Sequence, residues 1–435
     1  AWNNGGPIAI SIGWPLISIF ILVIGLCMSE LVSAYPTSGG IYWWAAKLGG
    51  AKAGYYTGWL NLIGLIAVDA SVAYGCATFF DLTFSTFSES WAEGYSLARV
   101  FWMFLVILIL VAVVNIFSGH LMAVMNNVSV WWHVFGALAV ILILVFLPKS
   151  HMSVADVFTM RVNNSGGLAG GSTDGLGYWF YVLPLGFLLT QYTITGFDSC
   201  AHVSEETHGA EENAAKGVWR SILYSAIIGW ILLLAITFAA QNPESGNGGS
   251  IPLLTEALTP TALKIVLLIS SIGQLFCGAA CLTSSSRMTY AFSRDGAMPG
   301  SGLWSKVNDR KVPVNAVLFV AVFAAILTIP AYFPNEAGIP VAFYAVVSIA
   351  VIGLYIAYVI PIYLRWRQGD DFQAGSWNNG SKYRWMNPLS TVWVGIITII
   401  FILPTNPNGV PWGDADFKWA SVNYAPLVTG GVILA

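Results

Sequence analysis

Roughly ten runs of about 20 or more mostly apolar residues dominate this sequence, and they limit its fold more tightly than any other feature. They lie near residues 8–33, 55–83, 100–118, 121–147, 178–203, 217–240, 261–292, 313–333, 340–364 and 386–404, and another starts near 423. In lipid, every backbone N–H and C=O must find its partner within the chain, so only helices or a closed barrel can cross. Runs this long and without alternation predict helices. Of the 435 residues 57% are apolar and only 9% charged, against roughly 25% charged in soluble domains. A soluble enzyme, a disordered chain and a secreted disulfide scaffold are therefore excluded. A net charge of −3 gives no reason to expect a nucleic-acid partner.

The basic residues set the expected orientation. If the first run travels inward, all of the 18 Lys and Arg residues except Arg99, Lys149, Arg161, Lys264 and Lys418 fall on the cytoplasmic side. The chain starts without Met and ends inside an apolar run, Pro426–Ala435, which reads as a segment cut at both ends with one spanning helix expected before residue 1. Residues 149–177, rich in Gly, Asn and Ser, are expected to form a long flexible outer loop. The segment between the first two runs, with Lys47 and Lys52, is read as an inner loop. Cys27, Cys76, Cys200, Cys277 and Cys281 form no C-x-x-C pair and are read as small core residues.

Acids in or beside the apolar runs are few: Glu30, Asp69, Asp81 and Asp198. An ionisable group inside a membrane is costly and so is a candidate for function. Asp81 is expected at the interface. Asp69 sits among Ala67, Ala70, Ser71, Ala73 and Gly75, a stretch suited to close helix packing, and is expected inside the bundle. In Thr193–Ser199, Gly196 lies mid-run, and Thr195-x-x-Asp198 has the form of a capping box. A cap at that depth predicts a helix that breaks and restarts, with a half-helix N-terminus suited to an anionic group. His133, two turns beyond Asn126 and Asn127, is read as the histidine deep in a span and as a candidate proton carrier.

Three further motifs end helices on the expected inner side: SELVSAYPTSGGIYWWA from Ser29, TGFDSCAHVSEET from Thr195, and YAFSRDGAMP from Tyr290. Together, in this order, they resemble the amino acid–polyamine–organocation superfamily, and in particular its amino acid/choline branch, over essentially the whole chain. The resemblance implies an all-α membrane protein of LeuT type, with two inverted repeats of five helices followed by two more. On that count the runs here are helices 2 to 12. Residues 1–147 would be the rest of the first repeat, 178–364 the second, and 386–435 the last two helices. The family's broken sixth helix maps onto Thr193, Thr195, Gly196, Phe197 and Asp198 as substrate-binding residues, with Asp69, Gln274, Tyr344 and Ser348 completing the pocket. Some members carry a lysine where His133 stands. Glu30, Glu205 and Glu206, with Arg220, Arg287 and Arg294, are expected to form a cytoplasmic gate of Glu–Arg contacts.

The expected function is secondary active transport of an amino acid, or a related amine such as GABA or choline, across the cytoplasmic membrane, with proton coupling or exchange. The alternative is a channel or facilitator for small organic cations, against which one irregular chain of eleven spans argues. No nucleophile triad, phosphate loop or metal cluster stands in the sequence. No enzyme activity, cofactor or metal is therefore expected, and the partners are the small-molecule substrate, a proton and the lipid bilayer.

Overall fold

Apolar runs became helices wherever the sequence offered them, with boundaries set by proline, glycine and polar caps. The computed structural model describes residues 1–117, 119–333, 341–413 and 416–434; the side chains of 341–344, 420, 428, 429 and 432–434 are not described. Ten helices among the described residues are long and apolar enough to span a membrane. We number the spans α1 (Pro7–Ala34, interrupted at Ile12), α2 (Gly40–Ser85), α3 (Leu97–Phe117), α4 (Gly119–Phe146), α5 (Tyr178–His202), α6 (Ala210–Phe238), α7 (Pro260–Arg294), α8 (Val314–Thr328), α9 (Val341–Gln368) and α10 (Tyr383–Ile402). A shorter helix, α11 (Ala425–Leu434), follows. The start of α7 shows how sequence sets a boundary: Pro260 fills the first turn, where no N–H is needed, and the Thr259 hydroxyl accepts from Ala262 N–H at 3.4 Å.

Helices five apart in the chain pack against each other: α1 on α6, α2 on α7 and α3 on α8. The cross-pairs match too, since α2 packs on α9 as α7 packs on α4. This is the packing of a LeuT-type 5+5 inverted-repeat bundle, with α10 and α11 outside it. Small residues and backbone carbonyls make the seams close, as membrane helices require. On α1 and α6, Trp14 Nε1 donates to Ala226 O at 2.8 Å, Trp230 Nε1 to Ser11 O at 2.9 Å, and Ser29 Oγ to Ala215 O at 2.9 Å. On α2 and α9, Gly64 meets Gly353 so closely that a methyl on Gly353 would stand 3.0 Å from Leu60 O.

Two expectations about the connections are corrected. The segment after α1 is helical from Gly40, because its residues alternate small and aromatic at helical spacing; only Gly50, at φ 83° and ψ 177°, interrupts α2. Residues 149–177 hold ordered structure: a short helix Val154–Thr159, headed by Ser153, and strand β2, Val162–Asn163, paired antiparallel with β1, Asn4–Gly5. Asp81, one turn before the end of α2, is fully buried: Arg99 grips it at 2.7 and 3.1 Å and Trp91 Nε1 donates to it at 3.0 Å.

Candidate functional site

The polar elements inside this bundle converge on α5. Its first part ends at Ile194; Thr195 is extended (φ −60°, ψ 152°), Gly196 lies at φ 107°, and one more turn runs from Ser199 to His202. Gly196 permits the break because a left-handed φ costs it nothing. A Cβ there would meet open space, so the backbone faces room rather than a neighbour.

The break was expected; its mechanism was not. No capping box forms. The Thr195 hydroxyl turns back to Gln191 O at 2.5 Å, and Asp198 makes no side-chain cap. The single turn that follows is headed by the Asp198 carboxylate. The Thr193 hydroxyl is exposed and donates to Leu189 O at 2.7 Å, and Phe197 is buried with its ring 5.2 Å from that of Tyr358.

Asp198 is fully buried and faces the equally buried His202, with Oδ2 and Nε2 3.3 Å apart. The approach is at ion-pair distance but not aligned as a hydrogen bond, and neither carboxylate oxygen has any hydrogen-bond partner. His202 Nδ1 lies 3.2 Å from Ser38 O. His202 is thus the histidine deep in the bundle, which the sequence reading assigned to His133. The signal available was spacing: Asp198 and His202 are four apart, one helical turn. The His133 ring is exposed on α4, its Nδ1 against Ser129 O at 2.7 Å and its Nε2 near Gly273 of α7.

Asp69 lies on α2, 2% exposed, with no ion-pair partner among the described residues. The hydroxyl of Ser285 on α7 is beside it, as is Tyr192 in the last turn before the break. Tyr192 is fixed by a 2.6 Å contact of its hydroxyl with that of Ser71, one residue beyond Ala70 on α2. Gln191, fully buried in the same turn, has both amide heavy atoms unpartnered, and its carbonyl accepts from the Tyr355 hydroxyl at 3.1 Å. Gln191, Tyr355 and Tyr358 were missed in the sequence. The two tyrosines stand three apart in an otherwise apolar stretch of α9, which was the signal. Gln274 packs against Gly75, about 9 Å further along α2 than Asp69. Ser348 is buried on α9, two turns before Tyr355. Tyr344 lies outside the described side chains.

At the end of the bundle that carries most of the basic residues, Glu–Arg pairs form. Arg287 Nε meets Glu206 Oε1 at 3.1 Å, and Arg294 Nη1 meets Glu205 Oε2 at 3.4 Å. Ser38 N–H donates to Glu205 Oε1 at 2.9 Å. Burial alone would raise the Glu205 carboxyl, but Ser38 N–H and Arg294 outweigh it and hold the group below its ordinary value. Two expected partners differ. Glu30 pairs with Arg365 on α9, at 3.3 and 3.4 Å and almost without exposure, because α1 and α9 end side by side there. Arg220 lies over the Trp219 ring instead of on an acid. A cavity of about 400 Å³ between α4 and α6, lined by Ile141, Leu144, Ile231 and Phe238, is apolar and contains none of these groups.

Around the helix break the bundle thus holds two buried carboxylates, Asp69 and Asp198, with no Lys or Arg paired to either among the described residues. Comparison with known proteins gives the same class. The amino acid permease family model matches residues 1–433. The chain is 33% identical to the amino-acid permease BAT1 of Arabidopsis thaliana and to its Oryza sativa homologue, covering 99% of this chain and 83% of each relative. It is 26% identical to the GABA-specific permease of Saccharomyces cerevisiae, over 99% of this chain and 74% of that one. Among solved structures, a manganese transporter mutant of Eremococcus coleocola matches with a TM-score of 0.57 over 100% of this chain and 87% of that one. At 13% identity that likeness speaks for the fold alone. The protein is a membrane transporter rather than an enzyme, and the chain belongs to the amino acid permease family.

Proposed function

We propose that the protein is a secondary carrier for an amino acid or a small related amine, such as GABA or choline, in the cytoplasmic membrane, working by alternating access and coupled to protons. The observation that carries this reading is the Asp69 carboxylate, buried with no ion-pair partner among the described residues, beside the turn that precedes the break. A buried carboxylate left unpaired costs several kcal/mol. A substrate ammonium removes that cost and so gains affinity from it. The carbonyl end of the helix before Thr195 adds negative potential at the same place, and the Gln191 amide offers a donor and an acceptor for the rest of the molecule. That relatives are amino-acid and GABA permeases supports an amine-bearing substrate.

Uptake by proteoliposomes tests this, with a panel of labelled amino acids, GABA, choline and polyamines at varied pH and sodium. Compounds with a cationic nitrogen should compete for uptake and their deaminated analogues should not. Asp69→Asn should lower uptake at least about tenfold, the size of one lost charge-assisted contact. Equal competition by deaminated analogues would rule out the amine reading.

A further inference from the structure

We infer that Asp198 and His202 together form the proton-binding site of this carrier, and that the bound proton ties the helix break to the gate. The inference rests on the proton-coupled reading above but on different residues. Ser38 O can only accept, so the hydrogen on the His202 ring belongs on Nδ1, 3.2 Å away. Nε2 then faces Asp198 Oδ2 at 3.3 Å. Without a further proton, two acceptors would face each other, fully buried and with a net negative charge. One proton shared between them removes the conflict, whether it is drawn as imidazolium and carboxylate or as imidazole and carboxylic acid.

The Tyr358 phenol can give its single hydrogen to the Asp198 carboxylate but not to Nε2 as well, so the contact between Asp198 and His202 still needs a proton of its own. The groups facing the pair from α9 are the phenols of Tyr355 and Tyr358, and from α7 the thiol of Cys281; Cys200 is on the same turn. No Lys or Arg comes within ion-pair distance of Asp198 among the described residues. The connection continues outward. Ser38 takes the His202 hydrogen on its carbonyl and gives its own N–H to Glu205, which holds Arg294. Ser38 lies in the turn joining α1 to α2, so α1, α2, α5 and α7 all meet at this line. Gly40 follows at φ 48°, a left-handed conformation that favours glycine, and a Cβ there would crowd Ala201 at 3.3 Å. Loss of the proton weakens the hold on Ser38, and with it the Glu205–Arg294 contact. Opening that end to water lets the proton leave.

The test uses full-length protein in proteoliposomes loaded with a pH-sensitive dye, with labelled GABA and labelled amino acids as probes. Asp198→Asn is the primary variant, because its amide N–H can donate to Nε2 and stand in permanently for the proton. The ratio of accumulation driven by an acid-outside gradient to gradient-free counterflow should fall at least about tenfold, with the dye signal falling alike. His202→Gln should do the same. His133→Gln, outside the site, should keep the wild-type ratio. A wild-type ratio in Asp198→Asn would overturn the inference. Net uptake by the wild type with no proton flux would overturn it too, yet leave the carrier reading standing. Should no probe be carried at all, the carrier reading fails separately, and thermal unfolding in detergent decides the pair. The pH dependence of unfolding should differ between the wild type and Asp198→Asn. Equal pH dependence in both would exclude a proton bound there.

Discussion

Two buried acids in this protein look alike in a sequence and behave differently in the fold. Glu30–Arg365 is a clamp: Arg365 also lies 4.1 and 4.0 Å above the Phe372 and Tyr383 rings and donates to Gly369 O at 2.8 Å. So many fixed partners leave it nothing to release. Removing one side strands a buried charge, and Glu30→Ala should weaken the fold by about 3–5 kcal/mol. That is readable as a lower unfolding temperature in detergent, and the double variant Glu30→Met with Arg365→Leu should recover most of it. A single variant as stable as the wild type would show that the clamp carries no load. Asp69 is the opposite case, an acid with polar neighbours but no base beside it among the described residues. Its burial was legible from the small residues around it. The pairing of Asp198 with His202 was not, since one residue was read as a cap and the other passed over.

At the scale of elements, the break in α5 could be located from Gly196 alone, while the way its ends are satisfied could not. Hydroxyls four residues from a carbonyl bond back along their own helix, as Thr193 and Thr195 do here. A capping pattern within a short stretch does not reveal that competition. At Gly196, φ 107° penalises any side chain while the space beside it is open. Gly196→Ala should therefore cost about 1–2 kcal/mol through the backbone, and Gly196→Leu should also fill the room and abolish uptake at unchanged expression. Uptake by the Leu variant at wild-type rate would deny that the break lines the path. The Glu205 contacts are half-exposed and each is worth about 0–1 kcal/mol. Because the carboxyl is held below its ordinary value, their contribution is present at neutral pH and is lost as pH falls through the lowered value. Hydrogen exchange at the Ser38 amide should accordingly be slow at neutral pH and quicken, beyond the intrinsic pH effect, in acid. In Glu205→Gln that acid-dependent excess should vanish.

For the whole molecule, the run lengths and three ordered motifs were enough to read the bundle, because hydrophobic length is the dominant constraint in lipid. They could not register that α2 begins at Gly40, since that first stretch has too few apolar residues to count as a span yet still folds as helix. Basic residues concentrate at the end that holds Glu205–Arg294. Impermeant thiol reagents on intact cells should therefore fail to label single cysteines placed at 301–311, and labelling there would reverse the orientation.

The central claim is a carrier whose substrate amine meets Asp69, and counterflow in proteoliposomes tests it most directly. A carrier gives labelled-amine exchange that saturates with substrate and is accelerated by unlabelled amine on the far side, and Asp69→Asn reduces it at least about tenfold. Flux that rises linearly with concentration, without acceleration from the far side, or that is untouched by Asp69→Asn, would contradict it.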